Sequence, residues 1–155
     1  MNSQSKTRPG RPRATLAVAF EPFIDERVRK FIDDGINDYN FAVTGMPEWF
    51  PANFVLRSAR GEVLGGLLAV IWGEWLRVGV LWVSEVARRQ GHGSRLLQAA
   101  ESYARERGCL GVFLDTFSFQ ARPFYERHGY AVFATQDDNP KGHARHFLEK
   151  RFAAP

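Results

Sequence analysis

The stretch from Val78 to Arg107, VGVLWVSEVARRQGHGSRLLQAAESYARER, leaves the chain few ways to fold. Val78 to Val83 is a short unbroken apolar run, the pattern of a strand covered on both faces. Leu96, Leu97, Ala100, Tyr103 and Ala104 then recur at three- and four-residue spacing, which predicts a helix with one face on a sheet; Gly108 is placed to end it. Between strand and helix lies Arg88-Arg89-Gln90-Gly91-His92-Gly93. Two glycines one residue apart let the backbone turn sharply and keep side chains away from the amides. The free N–H groups of the first helical turn, with the positive end of the macrodipole behind them, then face any bulky anion brought there.

The loop is therefore a candidate phosphate cradle, yet the hexapeptide alone also fits a plain strand-to-helix turn whose glycines only relieve strain. A dinucleotide fingerprint would need a third glycine where Leu96 stands, although Asp115 lies at about the distance that motif expects of its acid. A Walker loop needs Gly-Lys followed by Ser or Thr, and the chain has none.

Composition bounds what surrounds this core. At 155 residues, 45% of them hydrophobic and with 13 Phe and 4 Trp, the chain can bury a substantial interior. No apolar run reaches the length of a membrane span, and the N-terminus lacks the apolar core of a signal peptide. A single cysteine rules out an internal disulfide framework and makes the reducing cytoplasm the expected location. Cys109 opens an apolar strand, so a small buried hydrophobe is expected there rather than a nucleophile. The net charge is +4, but residues 1–13 carry four of the 21 basic side chains and no acid, so the remaining 142 residues balance 17 against 17. We expect residues 1–13 to be a disordered basic tail, dispensable for catalysis, and residues 14–155 to be one domain. A contact of the tail with RNA or anionic lipid is the alternative; the neutral body gives no reason to expect nucleic acid or membrane as a partner.

In chain order, Thr15 to Phe20 is apolar enough for a first strand, and the stripe from Phe23 to Tyr39 predicts a helix with Gly35 as its weak point. Asn40 to Ala52 is too broken by Gly45, Pro47 and Pro51 for a long element. Asn53 to Ser58 and Val63 to Trp72 form a hairpin through Ala59-Arg60-Gly61-Glu62. Gly65-Gly66 would weaken the second strand unless another segment or a bulge comes close. Gly73-Glu74 turns back into the opening strand, and a helix over 94–107 crosses to Cys109 to Asp115, which must run parallel to it. A short helix, Gln120 to His128, and an antiparallel pair, Tyr130 to Ala134 with Ala144 to Phe152, complete an α/β fold: a mixed, largely antiparallel sheet flanked by helices.

Arg88-x-x-Gly91-x-Gly93 matches the Arg/Gln-x-x-Gly-x-Gly/Ala signature of the GNAT superfamily, the acyl-CoA-dependent N-acyltransferases, and sits between strand and helix as it does there. Leu114-Asp115-Thr116 followed by Ala121, Phe124-Tyr125-Glu126 and Gly129-Tyr130 is similar to that family's second signature. The likeness spans Thr15 to Phe152 and is sharp from Leu81 to Tyr130. It implies that the central parallel strands splay apart and admit the pantetheine arm of acetyl-CoA. Backbone groups of Leu81, Trp82 and Val83 would pair with the pantetheine amides as another strand would. The amides of Arg88, Arg89, Gln90, Gly91, His92, Gly93 and Ser94 would hold the diphosphate, Ser94 adding its hydroxyl, with Phe124 beside the cofactor. Ser118 stands where relatives commonly carry Asn, and the shorter side chain reaches the cofactor only through water. By the same resemblance the aromatics between first helix and second strand, Phe41, Trp49 and Phe50, are candidates for acceptor contacts.

A thioester is already activated, so the transfer needs an aligned neutral amine, a steadied oxyanion and a proton for the departing thiolate. Tyr125 aligns with the tyrosine that supplies this proton in many relatives; the other reading is an aromatic that only packs beside Phe124. Glu74, Glu85 and Asp115 lie near the presumed cleft, and none is assigned as base. His143 and His146 are a poor metal pair, since a strand points them to opposite faces, and no metal is expected. The expected activity is transfer of acetyl from acetyl-CoA to a primary amine, on a small molecule or on a peptide or protein, by direct attack in a ternary complex. The alternative is a non-catalytic acyl-CoA-binding sensor or interaction domain of the same fold; a homodimer is compatible with either.

Overall fold

The computed structural model describes residues 16–46 and 49–153. Its contacts divide the chain into an N-terminal unit ending at Ile36 and a second unit, Asn37–Pro155. The basic tail, residues 1–13, lies outside the described residues.

Residues 16–20, expected as a first strand, are in no strand. A strand persists only when a neighbour takes its hydrogen bonds, and the described part of the N-terminal unit contains no other strand. Helix α1 (Glu26–Thr44) starts where the Asp25 carboxylate accepts the N–H groups of Arg27 and Val28 at 2.7 and 3.0 Å. It runs through Gly35 and past the expected end at Tyr39, correcting the view of residues 40–44 as irregular. The stop comes at Gly45, whose φ of +65° the preceding side chains cannot readily adopt.

The second unit holds β1 (Phe50–Pro51), β2 (Phe54–Arg57), β3 (Val63–Trp72), β4 (Trp75–Val83), α2 (His92–Glu106), β5 (Gly111–Phe117), α3 (Arg122–Arg127), β6 (Ala131–Asp137) and β7 (Ala144–Arg151). Its seven-stranded sheet runs β1-β3-β4-β5-β7-β6, with β2 also paired to β3. Only β4 and β5 are parallel, as the crossover through α2 requires. Leu96, Leu97, Ala100 and Ala104 of the predicted stripe are buried, packed in one core with Leu67, Leu76, Val112 and Leu148. Gly108 ends α2 in the left-handed region: its N–H goes to the Arg105 carbonyl and that of Cys109 to the Ala104 carbonyl.

A carboxylate is buried beside this core. Glu101 on α2 is 4% exposed and accepts from Tyr130 Oη at 3.1 Å and Lys150 Nζ at 2.7 Å, with Arg105 at 3.6 Å. The donors satisfy a carboxylate that would otherwise be costly to bury, and they tie α2 to β7. Burial and the Glu101 charge push the Tyr130 phenol well above its ordinary value.

The glycine pair in β3 has the close approach its sequence called for. A Cβ on Gly65 would fall 2.5 Å from the Trp82 carbonyl oxygen, and one on Gly66 would fall 2.7 Å from that of Phe54. Gly66→Ala should therefore cost about 1–3 kcal/mol of stability by overpacking. Gly35→Ala, in α1 with nothing within 4 Å of the added carbon, should gain about 0.5–1 kcal/mol. Urea unfolding of the two variants checks the opposite signs.

Candidate functional site

Strands β4 and β5 pair as far as Val78 and Leu114 and no further. The register of β4 against β3 slips between Val78 and Val80, so Gly79 is the extra residue of a bulge that bends β4 away. Beyond this point Leu81 to Val83 pair with β3, and Asp115 to Phe117 pair with β7. The edges that β4 and β5 turn toward each other have no strand partner among the described residues. A cleft of about 1010 Å³ opens there.

The loop after β4 forms the cleft's polar wall. A 3₁₀ turn, Glu85–Ala87, leads to Arg88, whose Nε donates to the Val83 carbonyl at 2.9 Å and whose amide, expected in the cradle, instead donates to the Glu85 carbonyl at 3.2 Å. Arg89 has φ +60° and Gly91 φ +78°, two left-handed residues that alternate with ordinary ones. Such alternation turns successive N–H groups toward one concavity, and an arginine held there is mildly strained. The amides of Arg89 to Ser94 find no acceptor among the described residues, six consecutive donors ending in the first turn of α2. Arg89 and Arg127 are also among the lining residues. This wall fits a diphosphate: the donors are main-chain, positively poised and unspent.

Leu81, Trp82, Val83, Arg88, Arg89, Gly91, His92, Gly93, Ser94 and Phe124 all line the cleft; Gln90 and Ser118 do not. Gln90 Nε2 donates to the Val86 carbonyl at 3.0 Å. Ser118 spends its polar groups on Ala144, accepting its N–H at 3.1 Å and donating to its carbonyl at 2.7 Å. The Ser94 hydroxyl is also engaged, 2.9 Å from His128 Nε2, while His128 Nδ1 lies 2.8 Å from the Phe124 carbonyl. A carbonyl only accepts, so in the neutral ring Nδ1 carries the hydrogen and Ser94 donates to Nε2. His92 Nδ1 is buried without a partner among the described residues.

Tyr125 rises into the cleft from α3, a helix whose first turn accommodates Pro123. Its ring is 7% exposed and stands edge-on to Phe124 at 5.1 Å and to Tyr130 at 5.8 Å. It both packs and lines the cleft, and its hydroxyl makes no hydrogen bond among the described residues. Burial, and secondarily the Asp115 charge, push the phenol up to about 12.

Of the three carboxylates near the cleft in sequence, only Asp115 lines it. Glu74 borders a separate cavity of about 220 Å³ with Met46, Phe50 and Trp72, and Trp49 stacks on Trp72 at 5.6 Å. The aromatics Trp49 and Phe50 thus lie away from the large cleft. Cys109 is buried, its thiol raised by desolvation and by Glu74. His143 stands edge-on to Phe119, whereas His146 is buried and bonds Thr135 at 3.0 Å.

Sequence reasoning missed Gly79, Arg127, His128 and Gln120, whose Oε1 accepts from Thr116 Oγ1 at 3.2 Å and Phe117 N–H at 2.9 Å. A glycine inside an apolar strand is a bulge signal, so Gly79 was within reach. His128 reaches Ser94 34 positions away, which no local pattern announces, whereas Gln120 bonds residues only three and four positions before it.

Residues 19–130 match the family model described as acetyltransferase (GNAT) family. The chain is 36% identical over 128 residues to an acetyltransferase of Agrobacterium fabrum, covering 83% of this chain and 93% of that one. It is 47% identical over 92 residues to a blasticidin-S acetyltransferase of Streptomyces morookaense, 59% of this chain and 68% of that one. A crystal structure of an acetyltransferase from Bacillus cereus superimposes with a TM-score of 0.76 at 33% identity, covering 86% of this chain and 98% of that one.

The phenol's environment has an alkaline signature. Folding favours neutral Tyr125, so its contribution to stability is intact below about pH 10 and is lost as pH rises through about 12. The difference in tyrosinate absorbance between the wild type and Tyr125→Phe should stay flat through pH 10 and rise nearer 12. A rise centred at 10 would mean the ring is solvated.

Proposed function

This chain belongs to the GNAT family of acetyltransferases, and from that premise we propose that it moves acetyl from acetyl-CoA to a primary amine on a small molecule, by direct attack in a ternary complex. The observation that carries this reading is the run of acceptor-free amides from Arg89 to Ser94 in the same cleft as Tyr125. Acetyl-CoA supplies an activated thioester. The main-chain donors and the guanidinium groups of Arg89 and Arg127 would hold its diphosphate, and the unpaired edge of β4 would pair with the amides of its pantetheine arm. The relative named for blasticidin S supports a small-molecule acceptor over a peptide.

The amine nitrogen attacks the thioester carbon, and the carbon–sulfur bond breaks as the new carbon–nitrogen bond is retained. The nitrogen's surplus proton leaves to water, and the thiolate takes its proton from Tyr125, which recovers one from solvent. A phenol near 12 is too weak an acid to protonate in advance a thiolate whose conjugate acid lies at about 8.5. Tyr125 therefore works by a hydrogen bond that strengthens as charge gathers on sulfur, with its free hydroxyl already in the cleft. Among the described residues no helix is long and apolar enough to cross a membrane, and cytoplasmic acetyl-CoA would be the matching supply.

Release of thiol from acetyl-CoA in the presence of an amine panel tests the activity. Tyr125→Phe should lower kcat by about a hundredfold, within the range for loss of a general acid, and leave acetyl-CoA affinity nearly intact. Equal turnover of the two proteins at every pH would reject the acid role.

A further inference from the structure

Asp115 is the only carboxylate among the described residues that line the large cleft, whose other charged groups are Arg88, Arg89 and Arg127. It follows Leu114, the last residue of β5 paired with β4, so it stands where the two strands part. Its side chain is 25% exposed, desolvated enough for a polar contact to count and open enough for a ligand to reach. Arg145 holds one oxygen only: its Nε and Nη2 both lie 2.8 Å from Oδ2. The guanidinium is in turn placed against the rings of Phe117 and Phe147, 5.5 and 5.4 Å from their centroids. Oδ1 takes no hydrogen bond among the described residues.

An alkyl amine is an ammonium at neutral pH, with donors and no acceptor, so what it needs on arrival is a carboxylate oxygen. We propose that Asp115 Oδ1 receives the acceptor's nitrogen and selects cationic alkyl amines over neutral, weakly basic ones, with Arg145 as the positioning residue that aims it. The inference rests on the acetyl-transfer reading and names its acceptor class. The ion pair offsets the desolvation of Asp115 and pins its rotamer, leaving Oδ1 for a charge-assisted hydrogen bond. That contact survives proton loss, because a neutral amine keeps N–H donors. The effect of the Asp115 charge on the Tyr125 phenol is consistent with the two groups acting on one substrate.

Benzylamine and aniline separate the two classes, since the first is an ammonium at pH 7 and the second is neutral. With the full chain, Asp115→Asn should lower kcat/KM for benzylamine by about tenfold or more, the effect of losing one charged hydrogen bond, with the KM for acetyl-CoA unchanged. Aniline should be nearly unaffected, so the selectivity ratio collapses. Arg145→Met should lower the same ratio and Arg145→Lys should restore it, and these variants serve if Asp115→Asn does not fold. Equal losses for both amines, or no loss for benzylamine, would overturn the inference. Calorimetry of benzylamine binding to the CoA-saturated protein gives an independent reading. Binding by the wild type but not by Asp115→Asn, without thiol release, would uphold the docking site and remove the transfer activity; no binding by the wild type would overturn the docking site.

Discussion

Two parallel strands that stop bonding to each other after Val78 and Leu114 are the constraint on which the rest of the unit depends. Unpaired main-chain groups inside a protein are expensive, so a parting of central strands persists only if something else satisfies each edge. Here β3 keeps one side of β4 and β7 keeps the far side of β5, which leaves the two inner edges as the walls of the cleft. A ligand arm carrying amides completes such an edge. The same parting sets Asp115 at its base and turns the end of β4 into the loop that carries the acceptor-free amides.

The supports of the cleft are arranged to hold it still. Buried Glu101 binds α2 to Tyr130 and Lys150, so the first turn of that helix is anchored from its far half. Gln120 closes the loop after β5 by accepting from Thr116 and Phe117, which sets the start of α3 and with it Tyr125. The chain from Ser94 through His128 to the Phe124 carbonyl ties the two helices that flank the site. A preorganised cradle loses little freedom when an anion arrives, which is how oriented main-chain dipoles become effective.

Much of this was legible where one residue type had one physical use. Gly65-Gly66 in an apolar strand asked for a close segment or a bulge, and the stripe from Leu96 to Ala104 suited a helix with one face on a sheet. The acyltransferase assignment was legible because Arg88-x-x-Gly91-x-Gly93 and Phe124-Tyr125-Glu126 occur in order at the right distance. Leu16 to Phe20 misled because apolar residues show that a strand is affordable, not that an edge is there to receive it. Ser118 illustrates the opposite difficulty: a polar side chain counted for a ligand is engaged by the Ala144 N–H. The Asp115–Arg145 pair joins residues 30 apart in sequence, and no local pattern announces such a meeting.

The cradle's reliance on amide nitrogens sets how freely this loop can drift. Main-chain donors make no demand of their own on side-chain identity, so more than one spelling of the loop could present the same amides. Position 91 is different, because its torsion excludes a branched side chain however well that side chain might bind. Divergent sequences could therefore share one coenzyme grip while showing almost no likeness outside their glycines, and variation in acceptor preference could accumulate around Asp115 and Arg145 without disturbing it.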